Sequence, residues 1–310
     1  MQKLTNYYST FSPVLQARKR EKQRTCHVFR RTILYCIINI LYFNRKTEKS
    51  RISCLYETGR TWYSVAGGIT MYLTESDILL FSGDSITDGN RGHTMDCNHI
   101  MGHGYQTIVA GTLALENAQT QPKFVNKGYS GATMGDLLKK WQQDVLDNHP
   151  TLVSLLAGVN DGMRGLTENR TAEQIAERYR RDLRGAIDLT FRTLGRIPFV
   201  LLEPFYLPLD RTDVSYRYVP HPLCEADRPR PDAGETAETT ARRVESMTRM
   251  QRAARETAAE YGCIFIELQK PFEQAAARSR REYFTWDGTH PTITGHALIA
   301  ALWLDGVRRT

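Results

Sequence analysis

The stretch DILLFSGDSITDGN, Asp77 to Asn90, decides the fold. Its first half, Asp77 to Phe81, is a short apolar run ending at Ser82-Gly83. Its second half opens a polar, helix-forming segment. A continuous apolar run of this length suits a strand buried on both faces, as in a parallel sheet. Working outward, four further runs repeat the pattern: KFVN (Lys123 to Asn126), LVSLLAG (Leu152 to Gly158), IPFVLLEP (Ile197 to Pro204) and CIFIEL (Cys263 to Leu268). Helical patterns lie between them. GYQTIVAGTLALENA places apolar residues at Ile108, Val109, Leu113 and Leu115. MGDLLKKWQQDVLDN sets Leu137, Leu138, Trp141, Val145 and Leu146 on one stripe. TAEQIAERYRRDLRGAIDLTF starts with a capping box, Thr171 with Gln174, and VESMTRMQRAARETAAEYG stops at Gly262. TITGHALIAALWLDGV follows near the end of the chain. Alternation of this kind predicts a three-layer α/β/α sandwich with right-handed crossovers, and ligand sites at the carboxyl ends of the strands.

Residues 1–70 read differently from the body. They hold 13 Lys+Arg against 3 Asp+Glu, whereas residues 71–310 hold 28 against 31. The overall net charge of +7 therefore belongs to the N-terminal stretch, and a nucleic-acid partner loses its support. Ile33 to Phe43 is apolar but short for a membrane span, and no small-residue cleavage site follows it. The expected division is an extension over 1–70, disordered or translated upstream sequence with the start at Met71, followed by one catalytic domain over 71–310. Were the extension genuine, it would offer a membrane anchor. The six cysteines, Cys26, Cys36, Cys54, Cys97, Cys224 and Cys263, include no CxxC pair. That points to a reducing, cytoplasmic setting.

Chemistry is expected just after the strands. Ser85 follows the first, at a turn that Gly83 permits, where a hydroxyl projects from the sheet edge and a helix N-terminus favours developing negative charge. NKGYSGAT follows the second; Gly128 and Gly131 allow a sharp loop whose backbone N–H groups suit an oxyanion hole. Asn160, in AGVNDGMRG after the third, carries an amide that can donate to the same oxygen, and Asp161 can cap the next helix. In TWDGTHPTITGH, Asp287 and His290 are three apart, a spacing that lets a carboxylate orient an imidazole in a turn. Taken singly, each reads as well as a helix cap or a glycine turn; the case rests on four such signals in order, each with a different role. His93, Cys97, His99 and His103 resemble no closed zinc motif and read as loop residues at the pocket mouth.

The ordered set GDSITD, NKGYSGAT, GVND and DGTHPT resembles the four blocks of the SGNH (GDSL) hydrolase superfamily. The resemblance spans about residues 75–305. It implies a flavodoxin-like five-stranded parallel sheet, a Ser85–His290–Asp287 triad, an oxyanion hole from the N–H groups of Ser85 and Gly131 with the Asn160 amide, and no metal or organic cofactor. NKGYSGATMGDLLKKWQQDVLDNHP, GVND with Arg164 nearby, EPFYL and WDGTHPTITGHALIA are further similar to intracellular bacterial acetylxylan esterases. The implied substrate is a small ester, an acetylated oligosaccharide, and the implied assembly a homo-oligomer. Two alternatives remain: an esterase acting on longer acyl chains, and a carbohydrate-binding relative without turnover. GNRGHTMDCNHIMGHG and the proline-rich 206–240 segment, a long loop or lid, depart from the relatives beside the pocket.

Overall fold

A computed structural model describes residues 62–65, 68–94, 96, 98–209 and 236–309. The described residues all belong to one compact unit. Expectations about residues 1–61, Cys97 and 210–235 lie outside the described residues. Two strands, β1 (Trp62–Val65) and β2 (Gly68–Met71), form an antiparallel hairpin in which Met71 pairs with Trp62.

Five strands make the central sheet: β3 (Ile78–Gly83), β4 (Lys123–Gly128), β5 (Leu152–Leu156), β6 (Phe199–Leu202) and β7 (Ile264–Ile266). Their order is β4-β3-β5-β6-β7, with every neighbour parallel. This is the expected flavodoxin-like arrangement, with its switch point beside β3. Each strand coincides with one of the five apolar runs. Leu79 and Phe81 point to one face of the sheet and Leu80 to the other, and two buried clusters form accordingly. One packs against α3 (Met134–Lys139), α6 (Ala172–Leu194) and α7 (Ala237–Tyr261). The other packs against α2 (Tyr105–Glu116), α8 (Gln269–Ala276) and α9 (Ile293–Arg308). Each large apolar side chain buried here contributes about 1.5–3 kcal/mol. The two indoles at the centre satisfy their N–H groups, Trp303 on Ser154 Oγ at 3.0 Å and Trp141 on Thr190 Oγ1 at 2.8 Å.

Four helical expectations are corrected. In α2 the buried stripe is Tyr105, Val109 and Leu113, while Ile108 and Leu115 face solvent, Leu115 at 80% exposure. Each helical residue turns about 100°, so neither can share the stripe of Val109. The segment after Thr133 is not one helix. It breaks at Lys140, whose N–H reaches both the Leu137 and Leu138 carbonyls, and resumes as α4 (Trp141–Asp144), turning Trp141 onto Phe199. α7 starts at Ala237, capped by Thr236, and takes in residues expected to be loop. Before it, Tyr206, Leu207 and Leu209 are buried rather than open. Finally, α5 (Val159–Thr167) follows β5 directly with Gly158 at its N-cap, so Asp161 lies inside the helix and does not cap it.

Candidate active site

Sheet register brings three strand ends level, because Gly83 pairs with Gly128 on one side and Leu156 on the other. A side chain at Gly83 has no room: a Cβ would stand 2.3 Å from the Leu156 carbonyl oxygen and 2.4 Å from Thr87 Oγ1. The backbone can therefore turn tightly into α1 (Ser85–Asp88), and Asp84 caps that turn by accepting the Ile86 N–H at 3.0 Å. Burial pushes the Asp84 carboxyl up to about 7, against the pull of the Ile86 N–H and the charge of His290.

Ser85 stands at the first position of α1, with its Oγ 2.8 Å from His290 Nε2. On the other side of the ring, His290 Nδ1 lies 2.6 Å from Asp287 Oδ2. The carboxylate accepts only, so Nδ1 carries the hydrogen and Nε2 presents its lone pair to the serine hydroxyl. Asp287 Oδ1 accepts the N–H groups of Thr289 (2.8 Å) and His290 (2.7 Å), which folds the turn around the carboxylate. The turn is closed by the Trp286 N–H on the His290 carbonyl and by the Thr285–Pro291 bridge. It is moored to the chain after β6 by the Leu207 N–H on the Gly288 carbonyl at 2.9 Å. Gly288 has φ 90°, where a Cβ would be strained and 2.9 Å from the Leu207 oxygen. The bond to Asp287 raises the His290 pKa above its ordinary 6.5, and burial opposes this without reversing it. Burial alone would raise the Asp287 carboxyl, but its bonds to His290 hold it below its ordinary range.

Gly131 lies in the turn after β4, closed by the Ala132 N–H on the Tyr129 carbonyl, with φ 79° and open space where a Cβ would stand. Asn160, in the first turn of α5, donates from Nδ2 to the Ala132 carbonyl at 3.1 Å. The expected pair is therefore neighbouring, one residue apart across that bond. Asp161 turns away from its own helix end and accepts the Met134 N–H at 2.9 Å; burial pushes its carboxyl up to about 7.

In the loop rich in histidine, His99 Nδ1 bonds Asp96 Oδ2 at 2.7 Å. Among the described residues, no group of three or more His, Cys, Asp or Glu gathers in a way that could hold a metal, and no helix is long and apolar enough to cross a membrane. Cys263 is a free thiol.

Two residues near the site were not singled out for roles by sequence reading. Trp286 stacks on His290, ring centroids 6.0 Å apart and 29° between planes, and keeps 41% of its surface exposed. Arg164, one turn after Asn160, donates to the Gly131 carbonyl at 3.3 Å and pairs with Asp136 at 2.6 Å. Its placement four residues after Asn160 on one helix face was the available signal.

The profile of the GDSL-like lipase/acylhydrolase family matches residues 81–298. An acetylxylan esterase of Geobacillus stearothermophilus is 26% identical over 238 residues, 76% of this chain and 95% of that protein. A crystal structure of that esterase with one catalytic residue replaced superposes with a TM-score of 0.60, covering 76% of this chain and 96% of its own. A Parabacteroides merdae protein classed as a GDSL-like lipase superposes with a TM-score of 0.62 at 28% identity, covering 76% and 98%. Three catalytic mutants of the Geobacillus esterase replace a serine, an aspartate and a histidine by alanine, the last two lying three residues apart.

Proposed function

Because the chain belongs to the GDSL-like lipase/acylhydrolase family, and is a carboxylic ester hydrolase, we propose that it removes small acyl groups, acetyl first among them, from carbohydrate hydroxyls through a Ser85–His290–Asp287 triad. The observation that carries the reading is the unbroken chain of hydrogen bonds from Ser85 Oγ through His290 to Asp287. His290 Nε2 takes the serine proton as Oγ attacks the ester carbonyl. The N–H groups of Ser85 and Gly131 and the second N–H of the Asn160 amide receive the oxyanion. His290 then protonates the leaving alcohol, and water, activated by the same imidazole, hydrolyses the acyl-enzyme. The same aspartate–histidine spacing in the Geobacillus esterase supports these roles.

The alcohol departs past His290, so its remainder lies on the Trp286 side. The exposed indole there offers an apolar plane to the C–H face of a sugar ring, which supports a carbohydrate leaving group over a lipid one. The expected result on p-nitrophenyl esters is a kcat/KM that falls from acetate through butyrate to octanoate. Activity rising with chain length would replace this reading with a long-chain esterase, and no turnover of any ester would favour a binding protein.

A pH profile follows from the imidazole. His290 works as a base only when neutral, and its pKa is raised by Asp287. Activity should therefore be low in acid and rise with pH through a midpoint above 6.5, as a plot of kcat/KM against pH would show. A midpoint well below 6.5 would contradict the Asp287 bond.

A further inference from the structure

Gly131 is held in an unusual way. It has φ 79°, and nothing lies within 4 Å of the place where a side chain would be. Glycine is the freest backbone unit, so packing on that side does not fix this conformation. The start of the turn is tied to the nucleophile's side, by the Ser130 hydroxyl on Asp88 Oδ2 at 2.6 Å and the Tyr129 N–H on the Gly83 carbonyl at 2.9 Å, and from Gly131 onward it is held by α5. Asn160 Nδ2 holds the Ala132 carbonyl at 3.1 Å, Asp161 Oδ2 holds the Met134 N–H at 2.9 Å, and Arg164 Nη2 holds the carbonyl of Gly131 itself at 3.3 Å. The other arm of Arg164, Nη1, lies 2.6 Å from Asp136 Oδ2. That oxygen also accepts from the N–H (3.2 Å) and Oγ1 (2.7 Å) of Thr133, which caps the helix leaving the turn. A single planar guanidinium thus spans the turn from Gly131 to Asp136.

We propose that Arg164 is a positioning residue of the oxyanion hole: it clamps the Gly131–Asp136 turn to the helix that carries Asn160, so that the Gly131 N–H and the Asn160 amide converge on one point. The inference rests on the oxyanion reading given under the proposed function. Both Arg164 bonds are partly exposed, with 43% of the arginine side chain open to solvent. Their loss should therefore cost little stability. A donor shifted by a fraction of an ångström, by contrast, costs far more in rate.

The test compares Arg164→Ala, Arg164→Lys and Asn160→Ala on p-nitrophenyl acetate, measuring kcat, KM, Tm and the inhibition constant of phenylboronic acid, which becomes a tetrahedral anion on the nucleophilic serine. Arg164→Ala should lower kcat about tenfold to hundredfold, with KM within about twofold of wild type. Boronate inhibition should weaken in proportion, and Tm should move by no more than a few degrees. Arg164→Lys should recover little, because one ammonium cannot span both oxygens. Asn160→Ala should lose about a hundredfold or more in kcat. Unchanged kcat in Arg164→Ala beside an impaired Asn160→Ala would overturn the proposal alone. A raised KM at constant kcat would also overturn it, placing Arg164 on the substrate and not on the turn. A fully active Asn160→Ala would overturn the oxyanion reading first, and this proposal with it.

Discussion

Ser85→Ala is expected to lower kcat on p-nitrophenyl acetate on the order of 10⁴- to 10⁶-fold while leaving Tm unchanged. The split between rate and stability follows from the geometry. α1 is capped by the Asp84 carboxylate and closed by Gly89, so the serine side chain holds no part of the turn together. Its Oγ is bonded to His290, an imidazole that water can reach once the hydroxyl is gone. Deleting the nucleophile of a triad removes nearly all that the triad contributes, and a small residue persists from the oxyanion donors and binding. Stopped-flow traces should also lose any burst of p-nitrophenol, since no acyl-enzyme forms. A variant that kept about a hundredth of wild-type turnover would remove Ser85 from its assigned role.

Asp287→Asn should cost about 10⁴-fold in kcat, again with little unfolding. In Asp287, Oδ1 takes two backbone N–H groups and Oδ2 takes the imidazole. Asparagine has one oxygen. Two backbone donors hold that oxygen in place of Oδ1, because turning the amide round would set its NH₂ against both. The NH₂ then faces His290 Nδ1, which must accept, and the proton moves to Nε2, toward Ser85. The base is spent before the reaction begins. Steady-state kinetics and a melting curve decide it; activity within tenfold of wild type, on the order of one pKa unit of driving force, would show that the imidazole finds its tautomer without the carboxylate.

The parts of the fold legible in the sequence were those written in one-dimensional patterns. Strands buried on both faces are continuous apolar runs, and all five appeared as such; the Thr171–Gln174 capping box and the Gly262 stop were read from local chemistry and are present. The blocks around Ser85, Gly131 and Asn160 likewise follow the ends of β3, β4 and β5, and the Asp287–His290 turn before α9 reaches Ser85 there. The sequence was silent where the outcome depends on what lies opposite. Ile108 and Leu115 look like core residues until the neighbouring stripe through Tyr105 proves to be the buried one. Lys140 gives no sign of breaking a helix; the break serves to seat Trp141 on Phe199. The reach of Arg164 to Gly131 and the stacking of Trp286 on His290 join residues of ordinary composition through a geometry that only the folded chain supplies.

The base and its orienting carboxylate belong to one four-residue turn, while the nucleophile opens the short helix that leaves β3. Any drift of the turn carries Asp287 and His290 together, so their 2.6 Å bond survives and the 2.8 Å gap to Ser85 is the one that opens. That turn is moored by the Leu207 N–H on the Gly288 carbonyl and by Arg243 Nη2 on Thr289 Oγ1 at 3.2 Å, a lighter hold than the parallel ladder of the sheet. Warming would free such a loop well before it loosens the sheet. Turnover is thus expected to fall on warming before the melting transition, and to return on cooling without refolding.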